Sequence, residues 1–133
     1  MLPATAIDAS PLARCAPQAQ AAIGDYVQRV STDLADTVVS ITLYGSQARG
    51  EAETESDMDL FIVVRHDSPA VREALAEIAW QVQFEHGVVI SDIIRNTSQL
   101  RLMQAHRFPY YQSIEKDGIL LWKSTSETMP ASA

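Results

Sequence analysis

The apolar positions of the chain switch between helical spacing and short continuous runs, which predicts helices interleaved with strands. Helical spacing spans residues 17–36 and again 69–86. In the second of these segments Ser68 is a candidate N-cap, Pro69 fits the first turn and Gly87 ends the helix. Two weaker helices are expected over residues 96–106 and 109–115.

Four apolar runs rich in β-branched residues predict strands over residues 38–44, 58–64, 88–94 and 119–122. The second run is apolar on both faces after its first residues, so we expect it at the centre of a sheet. A single charge, Asp92, interrupts the third run. Isolated charge in a buried strand is costly unless it is paired or binds a metal ion.

The composition indicates one folded domain. The chain has 133 residues, of which 47% are hydrophobic and 20% charged. We expect a domain over residues 17–123 between a loose arm at 1–16 and a frayed tail at 124–133. No apolar run approaches the roughly 20 residues needed to cross a bilayer, and the start lacks a basic signal region, so we expect a soluble, cytoplasmic protein. Cys15 is the single cysteine, which excludes an internal disulfide framework and a Cys-rich zinc site.

The net charge is −7, from 17 acidic and 10 basic residues. Binding to a nucleic-acid backbone normally uses clustered Lys and Arg, so the bulk charge disfavours stable nucleic-acid binding. An acidic balance is compatible with a site that collects metal ions before it holds a polyanion.

The candidate chemistry lies between the first two predicted strands. The first strand ends on Gly45 and Ser46, and ten residues later come Asp57 and Asp59. Side chains alternate along a strand, so the two carboxylates point the same way. Their repulsion is relieved by hard cations such as Mg²⁺. Gly45 permits close approach to an anion, and Ser46 could cap a short helix whose free amides favour phosphate.

The segments GSQARG, from Gly45 to Gly50, and SDMDL, from Ser56 to Leu60, resemble the nucleotidyltransferases of the DNA polymerase β superfamily. The likeness is greatest to their minimal stand-alone members, the MNT domains often paired with HEPN proteins. Gln47 is a departure, since many members carry Arg there. The resemblance implies an α/β (α+β) fold: a small twisted mixed sheet, helices mainly on one face, and the metal site at the open face.

The resemblance also implies roles for particular residues. Asp57, Asp59 and Asp92 would hold two Mg²⁺ ions, with Asp92 on the metal that activates the attacking hydroxyl. The nucleotide, ATP, would be bound by Gly45, Ser46, Arg49 and Ser56.

Two of these roles have alternatives. Asp92 could instead be a strand-edge residue paired with Arg95 or Arg49. Arg49 could pair with a nearby acid such as Asp57 rather than contact phosphate.

Other conspicuous side chains have structural interpretations. The three histidines are not spaced as metal ligands and are expected at element ends: His66, His86 and His106. Tyr110, Tyr111 and Trp122 are expected to pack the small core or a partner surface, and Trp80 to be core or interface.

Three functional hypotheses follow. The first is an enzyme that transfers AMP from ATP to a hydroxyl, which in the resembled group is often a tyrosine of a HEPN ribonuclease toxin, so that the transferase is the antitoxin of a type VII-like toxin–antitoxin pair. The second is a small-molecule transferase of the aminoglycoside-modifying type, although those usually carry a further domain. The third is a non-catalytic module that neutralises its partner by covering it or that senses nucleotide. Homo- or hetero-oligomers are compatible with all three.

Overall fold

The computed structural model describes residue 12 and residues 15–50 and 57–125. Five helices and four strands are described in these ranges: α1 Pro17–Asp33, β1 Val38–Tyr44, α2 Gly45–Arg49, β2 Met58–Val64, α3 Pro69–His86, β3 Ile90–Asn96, α4 Thr97–His106, α5 Pro109–Asp117 and β4 Ile119–Lys123. None of the described helices is long and apolar enough to cross a bilayer.

The strands form one mixed sheet in the order β3-β2-β1-β4. β1 pairs antiparallel with β2 and β4, while β2 pairs parallel with β3 through the α3 crossover. The α+β fold and the central place of β2 are therefore confirmed. β2 is central because its side chains are apolar toward both faces, as a strand covered on both sides requires.

Helices cover both faces of the sheet unequally. The two long helices, α1 and α3, pack on one face, which we call the long-helix face; its core includes Tyr26, Leu60 and Leu75. The shorter α4 and α5 pack on the other, the short-helix face, around Phe61, Met103 and Tyr111. Alternation along β2 assigns Leu60 to the first core and Phe61 to the second. The side chain of a charged residue in these strands therefore points to one face or the other according to its position along the strand.

The N-cap and the C-terminal glycine predicted for α3 are confirmed. Ser68 accepts a hydrogen bond from the Val71 amide at 3.2 Å, and Gly87 ends α3 in the left-handed conformation at φ +66°. Asn96 and Gln99 form a capping box at the start of α4. His86 and His106 lie at the ends of α3 and α4, as expected.

Several element boundaries differ from the prediction by one to three residues. α1 ends at Asp33 because Leu34 leaves the helical conformation at φ −129°. β3 begins two residues late, at Ile90, whose amide donates to Gln83 Oε1 at 2.7 Å, and the strand extends to Asn96. α5 runs two residues further than expected, to Asp117.

The ends of the domain reach slightly beyond the predicted boundaries. Leu12 and Cys15, assigned to the arm, are buried in the core of the long-helix face. Ser124, assigned to the tail, is buried, and its amide donates to the Val39 carbonyl at 2.8 Å. The rest of the predicted tail lies outside the described residues from 126 onward.

The aromatic residues divide between core and surface. Tyr111 and Trp122 are buried, as expected. Trp80 is not a core residue: it is 63% exposed, because the α3 stripe that faces the sheet contains Leu75, Ile78, Ala79 and Val82, and Trp80 lies on the opposite side of the helix.

Candidate active site

The two predicted metal-binding carboxylates lie at the start of β2. Asp57 directly precedes the strand and is exposed, while Asp59 is the second strand residue, is half-buried and pairs with Tyr44 of β1. Asp59 lies two and four residues before Phe61 and Val63 in the same strand, so its side chain points to the short-helix face as theirs do. The structure thus places both carboxylates where β2 emerges beside the end of β1.

Gly45 fits against Asp59 because it has no side chain. Its φ is +79°, in the region that favours glycine. A Cβ at this position would overlap Asp59 Oδ2 and lie 3.1 Å from Asp59 Cγ. Both the conformation and the space therefore require glycine, and the start of α2 is held directly against a candidate ligand.

Asp59 is electrostatically unfavourable in the absence of a cation. Burial is the main cause that raises the pKa of Asp59, and the negative charge of Asp57 adds to it, while the positive charge of Arg49 lowers it. A raised carboxyl pKa means that the ionised form is destabilised relative to water. A divalent cation between the two carboxylates would offset both causes, so this donor set fits Mg²⁺.

Ser46 does not cap α2, contrary to the prediction. The helix begins at Gly45, so its N-cap is Tyr44, and Ser46 lies within the first turn. No side chain caps this helix start. The first amides of a helix have no intrahelical acceptors, so the start of α2, adjoining Asp59, retains the polarity that favours an anion.

Arg49 lies in the last turn of α2 and forms an ion pair with Asp117 of α5, Nη1 to Oδ2 at 3.9 Å. Its charge also reaches Asp59. The pairing with an acid is therefore observed, with Asp117 rather than with the suggested Asp57. At 3.9 Å this contact is an ion pair without hydrogen-bond geometry.

Asp92 is not brought to Asp57 and Asp59. It pairs with Leu60 across β2 and β3, so its side chain points to the long-helix face. Burial raises the pKa of Asp92, while its own backbone hydrogen bond and the charge of Arg72 lower it. On the same face, burial and then the negative charge of Asp92 raise the pKa of Tyr26.

The cation beside Asp92 is thus Arg72 rather than the suggested Arg95 or Arg49. Within the described ranges one group of three carboxylate or imidazole ligand atoms lies within 4.8 Å of one another, and it consists of Asp25, Glu85 and His86. The three predicted catalytic carboxylates do not form such a group.

Ser56 lies outside the described residues, so its predicted contact with nucleotide has no structural counterpart here. Conversely, sequence reasoning missed Tyr44, which pairs with Asp59, and two residues whose charges reach Tyr44, namely Tyr110 and Arg95. Burial raises the pKa of Tyr44, followed by the charges of Asp59 and Tyr110, while Arg95 lowers it. Arg95 shares a face with Asp59 because it pairs with Val63. The alternation of side chains along β2 and β3 would have placed Arg95 on the face of Asp59 only if the pairing register of the two strands had been known.

The comparisons with known proteins identify the family and the fold. The sequence profile of the family described as "Nucleotidyltransferase domain" matches residues 25–120. The chain is 34% identical over 74 residues to "Putative protein adenylyltransferase MJ0141" of Methanocaldococcus jannaschii, covering 54% of this chain and 74% of the relative. It is 30% identical over 84 residues to "Putative protein adenylyltransferase MJ1305" of the same organism, covering 60% of this chain and 56% of that relative.

Two solved structures share the fold. "Structure of putative minimal nucleotidyltransferase" superposes with a TM-score of 0.52 at 19% identity, covering 76% of this chain and 90% of that one. "Crystal structure of the toxin-antitoxin with AMP-PNP" superposes with a TM-score of 0.50 at 16% identity, covering 75% and 73%. The chain therefore belongs to the nucleotidyltransferase-domain family and has the fold of the minimal nucleotidyltransferases.

Proposed function

We propose that this chain transfers AMP from Mg-ATP to a hydroxyl of a partner protein, and that the acceptor is a tyrosine of a HEPN ribonuclease toxin that the modification neutralises. The observation that carries the proposal is the close approach of Gly45 to Asp59, which holds a helix start against one of the two candidate metal-binding carboxylates. The names of the two archaeal relatives, both protein adenylyltransferases, favour a protein acceptor. The toxin–antitoxin structure with AMP-PNP that shares the fold suggests the biological setting.

Asp57 and Asp59 are the residues that would hold the metal. Bound Mg²⁺ would supply charge for the triphosphate and the departing pyrophosphate and would lower the pKa of the acceptor hydroxyl. The amides at the start of α2 would contact phosphate oxygens, a contact that Gly45 permits because its backbone is not screened by a side chain. Arg49 would add positive charge on the same side, where it already lowers the pKa of Asp59. Positioning and charge suffice for phosphoryl-type transfer, so no protein nucleophile is required.

The place of Asp92 in this proposal depends on strand register. In the observed pairing it faces Arg72 rather than the site. A shift of β3 by one residue along β2 would turn every β3 side chain to the other face and bring Asp92 to the side of Asp59. The ligand set that the structure supports is the pair Asp57 and Asp59, and a third carboxylate would require that shift.

The proposal is tested by intact mass of a HEPN protein encoded beside this chain, incubated with the purified chain, Mg²⁺ and ATP. We expect a gain of one or more AMP units that is lost in the variant carrying Asp57→Asn and Asp59→Asn. Asp67→Asn is the matched control. It removes a carboxylate that lies away from the site and forms an ion pair with Arg72, with 2.8 Å between Asp67 Oδ1 and Arg72 Nε.

Two outcomes would redirect the proposal. A stable complex with ATP bound but no mass gain would refute AMP transfer and favour the non-catalytic module. Adenylylation of an aminoglycoside panel without modification of the partner would favour the small-molecule enzyme.

A further inference from the structure

Two large aromatic side chains on the outer side of α3 are exposed together. Trp80 is 63% and Phe84 77% exposed. Their rings stack with centroids 5.5 Å apart and an interplanar angle of 3°. Each such ring can bury on the order of 150 to 250 Å² on contact, so the pair is a substantial apolar surface. It faces away from both cores of the domain.

The aromatic pair continues an acidic stripe. Glu73, Glu77, Trp80 and Phe84 follow one another at spacings of four, three and four residues. These spacings repeat the a and d positions of a heptad, so the four side chains form one line along α3. The line has an apolar C-terminal half and an acidic N-terminal half.

A groove of about 420 Å³ adjoins the acidic half, between the C-terminal end of α1 and α3. Its lining includes Asp33 together with Glu73 and Glu77, and its floor is apolar, with Leu34 and Ile78. Among the described residues no ion pair involves these three acids. The neighbouring acids Asp25 and Glu85 differ, since both pair with Arg29 at 2.8 and 3.0 Å. The groove therefore presents three uncompensated negative charges over an apolar floor.

We propose that this surface, the α3 outer surface, docks a basic amphipathic helix of a partner protein. The apolar side chains of that helix would cover Trp80 and Phe84, and its Lys or Arg residues would reach Asp33, Glu73 and Glu77. The spacing of the stripe matches what a helix lying alongside α3 presents. Charge complementarity selects a basic occupant.

Charge also excludes the other occupants. A second copy of this chain carries a net charge of −7 and presents the same acids rather than Lys or Arg, so its charge disfavours it as the occupant. An anionic membrane surface would be repelled in the same way. An amphipathic helix with interspersed Lys or Arg can contact the aromatic half with its apolar side chains and the acidic half with its basic side chains.

This inference is independent of the proposed AMP transfer. Asp59 points to the short-helix face, whereas α3 covers the opposite one. A partner on the α3 outer surface therefore leaves the start of β2 open. Docking of the helix would hold this chain on its partner, and the acceptor hydroxyl would come from another part of that partner.

The test uses two designed 18-residue amphipathic peptides, one of Leu and Lys and one of Leu and Glu in the same pattern, titrated into the full chain by calorimetry. We expect the Leu-Lys peptide to bind and the Leu-Glu peptide not to bind. Trp80→Ser with Phe84→Ser, and separately Glu73→Gln with Glu77→Gln, should each weaken binding about tenfold or more. These side chains are exposed, so the variants should fold.

Matched controls lie elsewhere on the surface. Leu102→Ser with Leu120→Ser removes two exposed apolar side chains of α4 and β4, and Glu115→Gln removes an exposed acid of α5. Neither should change the affinity. The proposal is overturned if the controls weaken binding as much as the α3 variants or if no Leu-Lys binding occurs. Sedimentation showing a dimer that the aromatic variant dissolves would also overturn it, because the occupant would then be a second copy.

Discussion

Replacing Gly45 by Ala tests the packing of α2 against Asp59 directly. At φ +79° a residue with a Cβ costs about 1 to 2 kcal/mol. The added Cβ would overlap Asp59 Oδ2, and moving the carboxylate off its rotamer costs a further 0.5 to 1.5 kcal/mol or so. The expected loss in the free energy of unfolding is the sum, about 1.5 to 3.5 kcal/mol. Urea denaturation measures it.

Two other glycines separate the causes. Gly87→Ala carries a similar backbone cost at φ +66°, but its Cβ meets only Gln18 Nε2, the end of a flexible side chain, at 3.0 Å. Gly24→Ala lies in α1 with nothing within 4 Å of the new Cβ, so it should stabilise by about 0.5 to 1 kcal/mol. We expect Gly45→Ala to be the most destabilising of the three and the only one to abolish AMP transfer.

A double-mutant cycle identifies the overlap itself. Asp59→Ala removes the carboxylate that the new Cβ would meet and leaves only its own Cβ, at 3.3 Å, so the cost of Gly45→Ala should fall in that background toward the backbone cost. Additive effects of the two substitutions would refute the overlap. Normal stability and transfer in Gly45→Ala would refute the requirement for glycine.

The remaining predictions concern single carboxylates. The pKa of Asp59 is raised in the folded chain, so the ionised carboxylate destabilises the folded state. This penalty is absent below the unfolded pKa near 3.8 and appears as pH rises. Asp59→Asn should therefore stabilise the folded state at pH 7 by less than about 1 kcal/mol. The gain should vanish near pH 3, and Mg²⁺ should reduce it at pH 7; equal stability of both forms at all pH values would contradict this. The hydrogen bond from Arg29 is the main cause that lowers the pKa of Asp25, so its contribution is present above the unfolded pKa and is lost as pH falls. Asp25→Asn should therefore cost about 1 kcal/mol at pH 7 and nothing in acid, as followed by thermal unfolding. Asp92→Asn should retain AMP transfer within about tenfold while Asp57→Asn loses it by a hundredfold or more. Equal losses would contradict a site whose carboxylates are Asp57 and Asp59 alone.

The prediction from sequence was most accurate where the signal was local. β1 and β2 have the predicted bounds because each is a largely apolar run flanked by glycine or polar residues. The caps at Ser68 and Gly87 were found because capping depends on side chains within a few residues. The shared parity of Asp57 and Asp59 follows from a two-residue separation.

Tertiary structure decided everything that depends on how separate segments align. Asp92 has the residue type and the strand of a third ligand, but its face depends on pairing with Leu60, and one residue of register reverses that face. The ion pair between Arg49 and Asp117 joins residues 68 positions apart, which no local pattern indicates. The sequence alone determined the bounds of β1 and β2 and the caps of α3, because these follow from local periodicity and backbone chemistry. Which charges share a face was decided by strand register, because packing energy rather than local preference selects the register.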